Sequence, residues 1–292
     1  MTTKALLREW ELRPQKDLGQ NFLVDQRVLG QILAAAEISA ADTVLEIGPG
    51  LGTLTQALAE QARRVVAVEL DRQLVAILQD RLQTFPNVQI VTGDILTFDI
   101  AELLAVKQTS GPAERAYKVV ANIPYNITSA VLRHLLETPL KPQLIVLMVQ
   151  KEVAQRITAR TGDMSLLSVS VQFYGRPRLI HRVPARAFYP VPKVDSAIIR
   201  IDPYPQLPLE PEEIEPFFDV VRAGFGQRRK QLRNSLAHGL RLSGERITGV
   251  LAQAGVDGER RAQTLGIGEW VALYRALRGA ARQTVSTMST SP

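Results

Sequence analysis

Three glycines at alternate positions, Gly48, Gly50 and Gly52, follow directly on the apolar run Val44-Leu45-Glu46-Ile47. Glycine at that spacing lets a backbone turn tightly and leaves no side chain between it and a bound ligand. A helical pattern begins at Thr53. The stretch therefore reads as the first strand, loop and helix of a nucleotide-type α/β domain. It departs from the G-x-G-x-x-G dinucleotide fingerprint, because the third glycine comes one residue early.

The flanking chain keeps the same rhythm. A short helix is expected at 4–11, then a polar segment, Lys16 to Asp25, with Phe22 and Leu23 embedded in it. Spacing alone leaves two readings of that segment open, a pinned surface loop or a lid over a ligand. A helix through Ala36 follows, with Val28, Leu29, Ile32 and Leu33 apolar. Further strands are expected at Val65–Glu69, Val88–Val91, Tyr117–Ala121 and Leu144–Val149. Helices are expected at Thr53–Ala62, Arg72–Gln83 and Thr128–Leu136. Continuous apolar strands alternating with helices indicate a parallel sheet covered on both faces. Ligands of such sheets bind beyond the carboxyl ends of the strands, where Glu46, Glu69, Asp94 and Asn122 fall.

Beyond Ala154 the pattern changes. Ser168–Phe173 alternates like a half-buried strand, and another strand is expected at Ala197–Ile201, giving the sheet an antiparallel edge. Pro203, Pro205, Pro208 and Pro211 mark a linker. Four helices of a small bundle are expected at Glu212–Ala223, Arg229–Leu240, Glu245–Ala254 and Glu269–Leu277. The domains read as 1–202 (α/β), 203–280 (helical) and 281–292, an unstructured Ser/Thr-rich tail.

The chain of 292 residues has no cysteine, which excludes disulfides, zinc ribbons and thiol catalysis. Its histidines, His134, His181 and His238, lack ligand-like spacing, so no metal is expected. The longest apolar run has six residues, too short to span a bilayer, and charges interrupt the N-terminal segments. The expectation is a cytoplasmic protein with no membrane partner. The net charge of +6 favours a polyanion, and its distribution says more. No acid occurs between Asp163 and Asp195, where Arg176, Arg178, Arg182, Arg186 and Lys193 fall. None occurs between Asp219 and Glu245, where Arg228, Arg229, Lys230 and Arg233 fall.

A nucleoside needs a carboxylate for its ribose hydroxyls, and Glu69 is placed for that whether the ligand is NAD or S-adenosylmethionine. Asp94 suits an adenine amino group. With Glu46 near the loop as well, such a site tolerates a sulfonium cation better than a pyrophosphate. Asn122-Ile123-Pro124-Tyr125 is the most specific signal. An amine conjugated to a purine ring is a poor nucleophile. Acceptors aimed at its two N–H bonds, the Asn122 side chain and a backbone carbonyl, help localise its lone pair. Pro124 stiffens the loop, and Tyr125 offers a face for stacking a base, worth about 1–3 kcal/mol. Phe188 either covers the other face or packs in the core.

These residues resemble the KsgA/RsmA small-subunit ribosomal RNA adenine dimethyltransferases. The match extends from about Lys16 to about Leu277. It rests on Gly19–Leu23, Glu46–Gly52, Glu69, Gly93-Asp94, Asn122–Ile127, Gln150–Ala154, Phe188–Ser196 and Arg228–Asn234. The resemblance implies a Rossmann-like class I methyltransferase domain with a small all-helical C-terminal domain. It implies transfer of four methyl groups from S-adenosylmethionine to N6 of two adjacent adenines in the 3′-terminal hairpin. The substrate it implies is 16S rRNA in pre-30S ribosomal subunits, during ribosome biogenesis. It assigns cofactor contacts to Asn21, Leu23, Gly48, Glu69, Asp94 and Asn122. Tyr125 and Phe188 then flank the adenine, and Asn122 and Pro124 complete the catalytic set. Arg228, Arg229, Lys230 and Arg233 are expected to bind RNA, and the protein to act as a monomer. Met164-Ser165-Leu166 departs from the family's usual Tyr-Gly-x, which puts local loop contacts with RNA in doubt. A macrolide-resistance-type methylase of large-subunit rRNA, a non-catalytic assembly factor and an NAD-dependent dehydrogenase are the competing readings.

Overall fold

The computed structural model describes residues 7, 9–10, 12, 14–15, 19–106, 111 and 116–288, with side chains through residue 280. By its internal contacts the chain divides into two compact units. One comprises Met1–Gln155 with Gly175–Pro203, the other Arg156–Tyr174 with Tyr204–Pro292.

The first unit is built on a seven-stranded sheet of order β4-β3-β2-β5-β6-β9-β7. Its strands are β2 (Thr43–Ile47), β3 (Arg64–Glu69), β4 (Val88–Thr92), β5 (Lys118–Asn122), β6 (Leu144–Gln150), β7 (Gly175–Val183) and β9 (Ser196–Pro203). Strands β2 to β6 pair in parallel, whereas β9 runs antiparallel to β6 and β7 antiparallel to β9. The expected parallel strands and antiparallel edge are both present. Successive strand residues point to opposite faces. Val44, Val65, Val120, Val146, Met148 and Ile198 join one core cluster. Their neighbours Leu45, Val66, Val119, Ile145, Leu147 and Ile199 are equally buried. Both faces are therefore covered, which is why these strands read as unbroken apolar runs.

Helix α1 (Gln26–Ala36) is capped by Asp25, whose side chain accepts from Arg27 and Val28 N–H. It packs over β5, β6, β7 and β9. Helix α2 (Thr53–Ala59) starts at Gly52, and α3 (Arg72–Arg81) is capped by Asp71. The short α4 (Ile100–Leu103), α5 (Thr128–Glu137) and α6 (Lys151–Ile157) follow. The chain runs β2, β3, β4 outward on one side, then returns to place β5 on the other side of β2. That reversal opens a crevice at the carboxyl ends of β2 and β5.

A second, two-stranded sheet pairs β1 (Phe22–Leu23) antiparallel with β8 (Phe188–Tyr189), Phe22 opposite Tyr189 and Leu23 opposite Phe188. The helix expected at 4–11 falls largely outside the described residues.

Two expectations are corrected. Ser168–Phe173 is not a strand, because α7 (Leu166–Gln172) occupies it. Ser165 and Ser168 form a reciprocal capping box, and Ser170 bonds back to the Leu166 carbonyl. Val169 and Phe173, four apart, are the fully buried pair of a helical face. Strand β7, in turn, was not anticipated. Its edge position leaves Arg176, Arg178 and Arg182 exposed and hides the apolar alternation. The segment 156–174, expected in the first domain, groups with the second unit.

The second unit adds α8 (Pro211–Phe225), α9 (Leu232–Leu240), α10 (Gly244–Gln253) and α11 (Ile267–Met288). The last of these enters the stretch 281–292 expected as an unstructured tail, and residues 289–292 lie outside the described set. Phe173 stacks on Phe217 at 4.7 Å and meets Phe218 edge-on at 5.4 Å, while Trp270 is fully buried. A Cβ on Gly224 would stand 2.4 Å from Trp270 Cη2. Gly224→Ala is therefore expected to lower stability by about 1–3 kcal/mol through overpacking. Urea denaturation checks this, and an unchanged midpoint would show that the indole yields freely.

Candidate nucleoside site and target-base loop

The glycine loop leaves β2 with Gly48 at φ +67° and Gly50 at φ +60°, a region open to glycine but strained for other residues. Phe22 lies against the loop, where a Cβ on Gly50 would come within 3.1 Å of its ring. Glu69, at the end of β3, is 7% exposed. One carboxylate oxygen accepts from Gly50 N–H at 3.1 Å and the other from Asp71 N–H at 3.0 Å. Burial pushes its pKa up, against the lowering effect of these bonds.

Asp71 caps α3 with one oxygen, and its other oxygen accepts from Gln20 at 2.8 Å and Gln15 at 3.1 Å. The polar segment ahead of β1 is thereby brought to the strand ends, where Gly19 to Phe22 form a wall of the cavity. Asp94, after β4, caps a short 3-10 turn by accepting from Leu96 N–H at 3.0 Å. At the end of β5 the Asn122 amide nitrogen donates to the Asn21 carbonyl at 3.2 Å, which leaves the amide oxygen as the available acceptor. Tyr125 opens a 3-10 turn, Tyr125–Ile127. Its hydroxyl lies 2.6 Å from that of Ser196, and burial pushes its pKa up.

Asn21, Gly48, Glu69, Asp94, Asn122, Pro124 and Tyr125 line one cavity. Its empty space is about 900 Å³, counting the part open to solvent, within the size that holds a small molecule. Val68, Leu70, Leu74, Ile95 and Ile123 supply apolar wall. Among the described residues, the charged ones that line it are both acids, Glu69 and Asp94. A phosphate there would meet two carboxylates with no counter-cation among the described lining residues. A phosphate-free, cationic nucleoside suits the cavity better.

Three of the expected residues stand apart from this lining. Leu23 and Phe188 are not among the described residues that line the cavity. They are paired across β1 and β8 and sit together in the core cluster with Leu29 and Ile32. Phe188 is 2% exposed, so its ring offers no face to a base in this structure. Glu46 adds no charge to the site. It is 1% exposed, lies outside the cavity lining, and burial pushes its pKa up to about 8. Its Oε2 has no hydrogen-bond partner among the described residues. Sequence reasoning missed the Gln20–Asp71 contact and the Tyr125–Ser196 bond, although Gln20 and Ser196 both fall inside matched motifs.

In the second unit Arg228, Arg229 and Lys230 occupy the turn between α8 and α9, and Arg233 lies in the first turn of α9. All four are exposed, and none has an ion pair among the described residues.

A family described as ribosomal RNA adenine dimethylase matches residues 12–275. The chain is 48% identical over 268 residues to ribosomal RNA small subunit methyltransferase A of Dehalococcoides mccartyi, covering 91% of this chain and 89% of that one. It is similar to the crystal structure of the 23S rRNA methyltransferase ErmE, with TM-score 0.69 and 31% identity over 88% of this chain and all of the other. It shares the fold of a dimethyladenosine transferase from Plasmodium falciparum, with TM-score 0.74, 24% identity and coverage of 89% and 98%.

The buried Glu46 carboxyl gives stability a pH dependence. The folded chain keeps a proton that the unfolded chain releases above an ordinary value near 4.5. Stability therefore falls as pH rises from about 4.5 to about 8, by up to about 1.4 kcal/mol per pH unit from this group. Glu46→Gln is expected to gain on the parent steadily over that range in urea melts at pH 5 and pH 8. A constant difference between the two proteins would overturn the assignment.

Proposed function

The chain belongs to the ribosomal RNA adenine dimethylase family, and we propose that it dimethylates N6 of two adjacent adenines in the 3′-terminal hairpin of 16S rRNA. Its fold is the Rossmann-like class I methyltransferase fold with a helical C-terminal region. It is an rRNA adenine dimethyltransferase, and its donor is of the S-adenosylmethionine type. The finer reading is S-adenosylmethionine itself, used on pre-30S subunits in the cytoplasm by a monomer. Among the described residues no helix is long and apolar enough to cross a membrane.

One observation carries the reading: Glu69, Asp94 and Asn122, at or just beyond three strand ends, line one cavity with Tyr125. Bound there, the cofactor supplies an electrophilic methyl group. Glu69 binds the ribose hydroxyls, Asp94 binds the adenine amino group, and the open backbone at Gly48 admits the ligand. The Asn122 amide oxygen accepts one N–H of the target amine and directs its lone pair outward. Pro124 restricts the loop and Tyr125 stacks the base. No base with a shifted pKa is needed, because the proton leaves after the methyl has moved. Alignment contributes most, up to about 7–11 kcal/mol. The higher identity to a small-subunit enzyme (48%) than to ErmE (31%) favours small-subunit rRNA. The exposed Arg228, Arg229, Lys230 and Arg233, without ion pairs among the described residues, favour phosphate contacts by the helical unit.

Asn122→Ala is expected to cut methyl transfer roughly a hundredfold or more, read by mass spectrometry of adenines in pre-30S subunits. Dimethylation at the parental rate would remove Asn122 from the mechanism. Neutralising the four basic residues is expected to flatten the slope of log affinity against log salt by roughly three. An unchanged slope would move the RNA contact elsewhere.

A further inference from the structure

Ser196 is the last residue of the matched Phe188–Ser196 stretch, and the methyl-transfer reading gives it no task. It is fully buried at the start of β9, between Gln150 of β6 and Val183 of β7. Its position is fixed from both sides. The residue before it is fixed too: Asp195 accepts from Ala185 N–H through its side chain and from Lys151 N–H through its carbonyl, both at 3.0 Å. A buried hydroxyl requires a partner. Among the described hydrogen bonds, the Ser196 hydroxyl has one, to Tyr125 at 2.6 Å.

Tyr125 is less firmly held by its own backbone. The turn it opens has no side-chain cap, and its bonds are long, Ile127 N–H to the Pro124 carbonyl at 3.3 Å and Thr128 Oγ1 to the Tyr125 carbonyl at 3.2 Å. A tyrosine ring has two soft torsions, and bonding its far end restrains both.

We propose that Ser196 is a positioning residue for RNA methylation, holding the Tyr125 ring in one plane so that the extruded adenine meets a preformed stacking surface. The inference rests on the reading of Tyr125 as the stacking residue. Its chemistry is preorganisation: a ring already fixed loses less freedom when the base arrives. The benefit falls on the RNA step and not on cofactor binding.

The test uses the full chain with pre-30S subunits and compares Ser196→Ala, Tyr125→Phe, the double variant and Tyr125→Ala. Ser196→Ala and Tyr125→Phe are each expected to lower kcat/KM for RNA about three- to tenfold, with the double variant no worse than either. S-adenosylmethionine affinity by titration stays at the parental value. Additive losses, or a parental kcat/KM alongside a lowered Tm, would overturn the proposal. If Ser196→Ala does not fold, Tyr125→Phe against the parent carries the same test. Tyr125→Ala separates the two readings. Parental activity in it removes the stacking role itself. Loss of activity in it, with Tyr125→Phe and Ser196→Ala at parental rates, leaves stacking standing and removes the anchor.

Discussion

A carboxylate almost out of water must find hydrogen-bond donors, and Glu69 takes them from two turns at once. Gly50 donates from the loop after β2, and Asp71 donates from the loop after β3. The two turns are thereby held at a set separation. Asp71 extends the tie, since its free oxygen gathers Gln15 and Gln20 from the N-terminal segment. One acid at a strand end therefore registers the glycine loop, the start of α3 and a wall of the cavity against each other. The same burial that makes the bonds necessary makes the charge expensive, which is why its pKa rises.

The electrical character of the site follows from which acids face it. Glu69 and Asp94 do, and Glu46 does not. Burial behind the loop pushes the Glu46 pKa up, and Glu46 does not face the cavity, so the described lining holds two carboxylates and not three. That is enough to disfavour a pyrophosphate. The carbonyl of Asn122, presented because its amide nitrogen is already bonded to Asn21, is an uncharged acceptor. An uncharged acceptor polarises an amine without removing its proton beforehand.

Much of this was legible in the residues. Strands buried on both faces must be apolar throughout, so β2 to β6 could be found from runs such as Leu144–Val149. Glycines that need positive φ, and polar residues at strand ends, mark the cavity because few other arguments place them there. What was hidden depends on distance and direction. Phe188 had two readings, at the target base or in the core, because a two-residue strand gives no periodicity from which to tell which side chain turns inward. The Ser168–Phe173 alternation fits both a strand and a helix face, and serine capping with aromatic packing decided for the helix. The Tyr125–Ser196 bond joins residues 71 positions apart, a pairing that no local pattern encodes.

The β1–β8 pairing sets an order of events for the nascent chain. Residues 19–23 leave the ribosome ahead of the parallel sheet, yet their strand partner, Phe188-Tyr189, is synthesised only after β6 is complete. Domains assemble as their elements become available, and a contact between distant segments waits for both. The parallel core can form while the segment carrying Asn21 is still unpaired. The wall that carries Asn21 is therefore the earliest part of the cavity to be translated, and its strand pairing is among the last of its contacts to become available.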